Sequence, residues 1–187
     1  MSENDKKPLE LTALYKRHSG LTRAISDTFY EAVSICLSRH HVSPVDMRIE
    51  CDKRATKRTA EFATPTVRTL NAWANNIDTT ESGAYGVCLA AIEVEEDMIA
   101  VRRAETLTGA DWYVAPMGTR ADDLERCLRL EVSGVDGGTQ STLKTRLRQK
   151  VEQTKRGVSN IPAIASVVGF KEKTIMIQTV ERSDDMA

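Results

Sequence analysis

The chain has 187 residues, 41% hydrophobic and 28% charged, which suits a folded domain able to bury a core and excludes a disordered chain. Lys and Arg total 26 against 27 Asp and Glu, a formal charge of −1, so no global field draws the protein to nucleic acid or an acidic membrane. Any polyanion site must be local. The longest uncharged, apolar-leaning stretch, 82–92, is about half of the roughly 20 residues that a membrane-spanning helix needs.

The polar start, Met-Ser-Glu-Asn-Asp-Lys-Lys, leads into an amphipathic segment and not into an apolar run with a small-residue cleavage site. The expected location is cytoplasmic. Cys36, Cys51, Cys88 and Cys127 form no Cys-x-x-Cys pair, so buried free thiols are expected. No low-complexity stretch or internal repeat is visible.

In chain order, apolar residues at three- and four-residue spacing predict a helix over about 9–40, interrupted at Ser19-Gly20 and ended before Pro44. Residues 47–51 read as a short strand or the start of a linker. Residues 53–74 carry Lys53, Arg54, Lys57, Arg58 and Arg68 among Phe62, Val67, Leu70 and Trp73, the pattern of a second helix-rich piece with a basic face. The first 74 residues are thus expected to form an N-terminal helical region, and residues 75–187 an α/β core.

In that core, Asp78-Thr79-Thr80-Glu81 has the form of a capping box opening a helix over about 79–95. Strands follow at 98–104 and 111–115 around a Thr108-Gly109 turn, then a polar loop at 116–125 and an alternating strand at 127–133 stopped by Gly134. A helix over 139–156 and a near-continuous apolar strand at 163–169 complete the order. The order helix, strand, strand, strand, helix, strand makes the fold class α/β.

Three acids occupy informative places: Glu81 in the first turn of its helix, Asp111 opening the second strand, and Glu131 inside the third. Oxygen ligands suit a hard cation such as Mg²⁺, which keeps several waters and needs only one or two carboxylates to sit against a phosphate. A carboxylate within an apolar strand is costly to desolvate unless it is paired, hydrogen-bonded or metal-bound, which singles out Glu131. Each acid also has a plain structural reading. Glu81 can complete the capping box, Asp111 can serve as a turn residue beside Gly109, and Glu131 can form an ion pair with Arg129 or an arginine of the following helix.

The helix at 139–156 carries six cations (Lys144, Arg146, Arg148, Lys150, Lys155, Arg156) against the single acid Glu152. Such a face can track a phosphate backbone or be merely solvated. Cys36, His40, His41 and Cys51 have some resemblance to a metal set, but the spacing to Cys51 is nonstandard, so Cys36 reads as core-facing and the histidines as a helix end. No Gly-x-Ser-x-Gly elbow and no nucleotide-binding glycine loop is present.

The element order, with Gly109-Ala110-Asp111-Trp112-Tyr113 and Arg129-Leu130-Glu131-Val132-Ser133, resembles the PD-(D/E)xK, or restriction-endonuclease-like, nuclease superfamily over about 75–169. The resemblance implies a restriction-endonuclease-like core, a central mixed sheet flanked by helices, with Asp111 and Glu131 as ligands of Mg²⁺ or Mn²⁺, assisted by Glu81, and nucleic acid as substrate. Ser133 stands where that family has its lysine. Some members move the basic residue onto the following helix, where Lys150 is the candidate here. Asp111, Glu131 and Lys150 would then be the catalytic set of a metal-dependent nuclease-like protein. The alternative is a catalytically inactive core serving as a binding or assembly module in a bacterial defence, toxin-antitoxin or immunity system. A homodimer is compatible with both.

Overall fold

The computed structural model describes residues 7–106, 108–119, 123, 125–156, 159 and 161–180. Its elements are a 3₁₀ turn (Leu14–Lys16), α1 (Arg23–Ser38), β1 (Val45–Cys51), β2 (Arg54–Ala60), α2 (Val67–Ala72), α3 (Asn76–Glu96), β3 (Met98–Arg103), β4 (Trp112–Pro116), β5 (Leu128–Val135), α4 (Gln140–Arg156), β6 (Ala163–Gly169) and β7 (Thr174–Val180). The protein is α/β. One mixed sheet runs β2-β1-β7-β6-β5-β4-β3, with β1–β7 and β5–β6 parallel and the other neighbours antiparallel.

Successive side chains of a strand point to opposite faces, and β5 shows what this does here. Leu130 and Val132 join the core beneath α3, whereas Glu131 between them meets Lys150 of α4. Helices α1 and α3 therefore cover one face and α4 the other, where it packs on β5, β6 and β7. The middle strand β6 is buried at every position, which is why it reads as a continuous apolar run. Helix α3 is buried from Gly83 to Ile92, being enclosed by α1 on one side and β3, β5 and β6 on the other. Among the described residues no helix is long and apolar enough to cross a membrane.

Several sequence expectations need correction. The helix expected over 9–40 is a 3₁₀ turn followed by α1, which begins after Thr22, whose side chain accepts from the Ile25 amide. The break is at Gly20 because its amide donates to the Ala100 carbonyl, and an added Cβ there would lie 2.5 Å from the Val101 carbonyl carbon. Residues 53–74, expected to be helix-rich, hold β2 and the six-residue α2. The chain reverses at Asp52, in the left-handed region (φ 48°), and β2 then zips onto β1 from Cys51↔Arg54 to Val45↔Ala60. Its cations sit mostly on the solvent side of an edge strand, the exception being Arg58, which is buried and paired with Glu95 at 2.8 Å.

Strands β1 and β2 thus belong to the same sheet as the rest, and one hydrophobic cluster runs from Leu9 to Ile177 across position 75. The strand β7 is a further element that the sequence reading did not anticipate. Gly134 does not stop β5, which continues to Val135. An added Cβ at Gly134 would lie 2.5 Å from the Thr80 carbonyl oxygen, so the glycine is where β5 passes hard against α3. Of the polar loop expected at 116–125, residues 120–122 and 124 lie outside the described residues, as does the polar start at 1–6.

Candidate functional site

The site forms where two strands part. Strand β4 pairs with β5 only through Trp112↔Leu130, Tyr113↔Arg129 and Val114↔Leu128, and beyond Leu130 the β4-facing edge of β5 is open. A buried amide without a partner is costly. Asp111 stands at the mouth of this split: its own amide donates to the Leu130 carbonyl at 2.8 Å, and its Oδ2 accepts from the Val132 amide at 2.8 Å.

The other oxygen of Asp111 reaches an element of the opposite wall. Oδ1 accepts from the Tyr85 hydroxyl at 2.8 Å, and the same hydroxyl lies 2.7 Å from Glu81 Oε1, one helical turn earlier on α3. Having a single proton, that hydroxyl can donate to only one of the two acids at a time. It also accepts from Arg103 Nη2 at 3.1 Å. The Arg103 guanidinium lies over the Tyr85 and Trp112 rings, 4.6 and 4.9 Å from their centroids, and 3.7 Å from Asp111 Oδ1. Burial, and then the charge of Asp111, push the Tyr85 phenol well above its ordinary range. Glu81 is not part of a helix cap. The N-cap of α3 is Asn75, whose side chain accepts from the Ile77 and Asp78 amides, so the expected capping box starts three residues too late.

Glu131 takes its partners from α4. Its Oε1 accepts from Lys150 Nζ at 2.6 Å and from Gln153 Nε2 at 2.9 Å, and Lys150 also donates to Gln153 at 3.2 Å. Lys150 and Gln153 lie three residues apart and so share a helix side. The Glu131 side chain is only 5% exposed. Its carboxyl is raised above the ordinary range by burial first and by the negative charge of Asp111 second, against the opposing pull of Lys150. The alternative partner read from the sequence, Arg129, instead donates to the carbonyls of Ile161 and Thr108 at 2.9 and 2.7 Å.

The four residues singled out in the sequence, Glu81, Asp111, Glu131 and Lys150, come from α3, the entry to β4, β5 and α4 and form two neighbouring hydrogen-bonded groups, Glu81–Tyr85–Asp111 and Glu131–Lys150–Gln153. Two clefts open on them and share Asp111. One, of about 550 Å³, is bordered by Glu81, Tyr85, Ser133, Arg146 and Lys150. The other, of about 530 Å³, is bordered by Arg103, Glu131, Gln153 and Arg156. A groove of about 590 Å³ lies on the opposite flank of α4, beside Lys144, Leu147, Val151 and Lys155, and is lined by none of Glu81, Asp111 and Glu131.

Two site residues escaped the sequence reading, Tyr85 and Arg103. Tyr85 follows Glu81 by four residues on a helix, a spacing that was available as a signal. Arg103 could not be found that way, because its place beside Asp111 depends on the Arg103↔Trp112 register between β3 and β4.

Among the described residues no three His, Cys, Asp or Glu side chains converge on one point as a ready-made metal cage. Glu81 is separated from Asp111 by the Tyr85 hydroxyl. The second sequence cluster is dispersed: the Cys36 thiol faces the Thr79 carbonyl at 3.5 Å, His40 Nε2 lies 3.1 Å from Asp136, His41 Nε2 2.9 Å from the Phe170 carbonyl, and the Cys51 thiol 3.0 Å from Glu96. Burial pushes the Cys36 thiol up to about 12, so it stays protonated.

Comparison with protein-family models, curated proteins and solved structures finds no match for this chain.

Proposed function

We propose that the protein is a metal-dependent phosphodiesterase of the restriction-endonuclease-like kind, acting on nucleic acid. The observation that carries this reading is the ion pair of Lys150 with Glu131, Lys150 also bordering the cleft that Asp111 and Ser133 line. On this reading Lys150 of α4 stands in for the cation that Ser133 cannot provide.

The donor set fits Mg²⁺ or Mn²⁺. It consists of hard carboxylate oxygens, and the charge of Asp111 already raises Glu131, a repulsion that a divalent cation between them relieves. Asp111 and Glu131 would hold the ion, with Glu81 reaching it only through Tyr85. Such an ion supplies Lewis acidity and a more acidic bound water. The chain's own residues do the remaining work. The Lys150 ammonium faces the charge that develops on phosphoryl oxygens, Gln153 holds the lysine and Glu131 together, and Tyr85 and the Val132 amide fix the rotamer of Asp111.

A second reading, an inactive core used as a binding or assembly module, is favoured by one observation. Both oxygens of Asp111 and one of Glu131 already have internal partners, so the network is satisfied without an ion. Thermal melting of the wild type and Glu131→Gln with and without Mg²⁺ or Mn²⁺, followed by incubation with plasmid, single-stranded DNA and RNA, separates the two. Stabilisation by metal that the variant loses, together with cleavage, supports the enzyme. No metal shift and no cleavage leaves the binding module.

A further inference from the structure

The two clefts that meet at Asp111 are parts of one trough along α4. Arg146 and Lys150 border one part, Gln153 and Arg156 the other. From Arg146 to Arg156 the helix rises about 15 Å, a length that holds a short run of nucleotides. Small phosphodiesters would fill only the middle.

The trough is not uniformly charged. At the Arg146 end its rim carries Ile77, which is 78% exposed in the first turn of α3 and borders the same cleft. A cation on one wall and an apolar side chain on the other suit a nucleotide whose phosphate and base are both accessible. In a duplex the base faces are covered by stacking, whereas unpaired strands are bound by basic grooves that offer surfaces to their bases.

We propose that the trough binds a single unpaired polynucleotide strand lengthwise, one phosphate on Arg146, another near Arg156 and Arg103, with a base against Ile77 and the intervening phosphate over Asp111 and Glu131. The proposal rests on the phosphodiesterase reading for the role of its centre, but its readout is binding.

The experiment is fluorescence anisotropy in Ca²⁺ with labelled oligo-dT and oligo-rU of two, four and eight nucleotides and with a DNA duplex, over a series of salt concentrations. The variants are read on the tighter ladder. Affinity should rise from two to four nucleotides, by more than from four to eight, and the duplex should bind more weakly. Arg146→Gln and Arg156→Gln should each weaken binding roughly threefold or more and flatten the salt dependence by about 0.7 in log–log slope. Ile77→Ser should weaken single-strand binding without changing the slope. Lys144→Gln, on the opposite flank of α4, should change neither.

Binding to neither ladder, equal affinity for the duplex, or a Lys144→Gln effect as large as that of Arg146→Gln would overturn the proposal. Length-dependent binding without cleavage removes hydrolysis and keeps the strand path. Cleavage that is indifferent to Arg146 and Arg156 removes the path and keeps hydrolysis.

Discussion

Lys150 Nζ lies 2.6 Å from Glu131 Oε1, nineteen positions away in the chain, and the pair faces the α4 side of a sheet whose other side is the main hydrophobic core. The Glu131 side chain is 5% and the Lys150 side chain 18% exposed. Removing one member of so buried a pair leaves an uncompensated charge. Lys150→Met should therefore lower stability by on the order of 3 kcal/mol, and the double variant Glu131→Gln/Lys150→Met should recover much of that loss in urea unfolding. Under the enzyme reading, Lys150→Met also lowers cleavage about a hundredfold or more, measured where the variant is still folded.

The carboxyl of Glu131 is raised in the folded state by burial and by Asp111. A group whose folded pKa is raised favours the fold below its unfolded pKa, and that contribution is lost as pH rises through the folded value. The melting temperature of the wild type relative to Glu131→Gln should thus fall as pH rises from the ordinary carboxylate range. A difference that stays flat as pH rises from the ordinary carboxylate range to neutrality would count against a raised Glu131 carboxyl.

Tyr85→Phe removes the hydroxyl between Glu81 and Asp111 and the acceptor for Arg103 while keeping the ring under the guanidinium. The expected loss is about 1 kcal/mol from the hydrogen bonds. The Asp111 carboxylate then keeps only the Val132 amide as a hydrogen-bonded anchor, so under the enzyme reading any metal-induced rise in melting temperature should shrink. A variant equal to wild type in both measurements would show that the Val132 amide alone holds Asp111.

His18 is wholly buried, and its Nδ1 accepts from the Ala100 amide at 2.9 Å, so its other nitrogen is the one that faces Glu93, at 3.1 Å. Burial raises the Glu93 carboxyl, but His18 and Arg17 outweigh it and the net shift is downward. A depressed carboxyl stabilises the fold above its unfolded pKa, and this is lost as pH falls through the folded value. Glu93→Gln should therefore be destabilising at neutral pH and approach wild type below about pH 4, read as melting temperature against pH.

Gly134→Ala tests the close approach of β5 and α3. The new Cβ would come 2.5 Å from the Thr80 carbonyl oxygen, and overpacking of this kind costs about 1–3 kcal/mol. Gly137→Ala, which meets nothing within 4 Å, is the control.

Much of the core was legible in the chain because its signals are local. The three- and four-residue spacing of Val87, Cys88, Ala91 and Ile92, the apolar run of β6 and the alternation through 127–133 each report a periodicity that a few neighbouring residues carry. The placing of Asp111 at a strand entry and Glu131 within a strand could be read the same way, whereas Lys150 was singled out only through the resemblance to a nuclease superfamily. What the tertiary structure alone decided is pairing. Residues 54–60 look helical and basic, and become a strand because β1 offers an open edge. Tyr85 and Arg103 become site residues because β4 leaves β5 at Leu130, so that α3, β3 and α4 are drawn around a backbone edge that β4 does not pair and the Asp111 side chain caps. Periodicity along a chain specifies which face of an element is buried, while contacts between distant elements depend on registers that no short window contains.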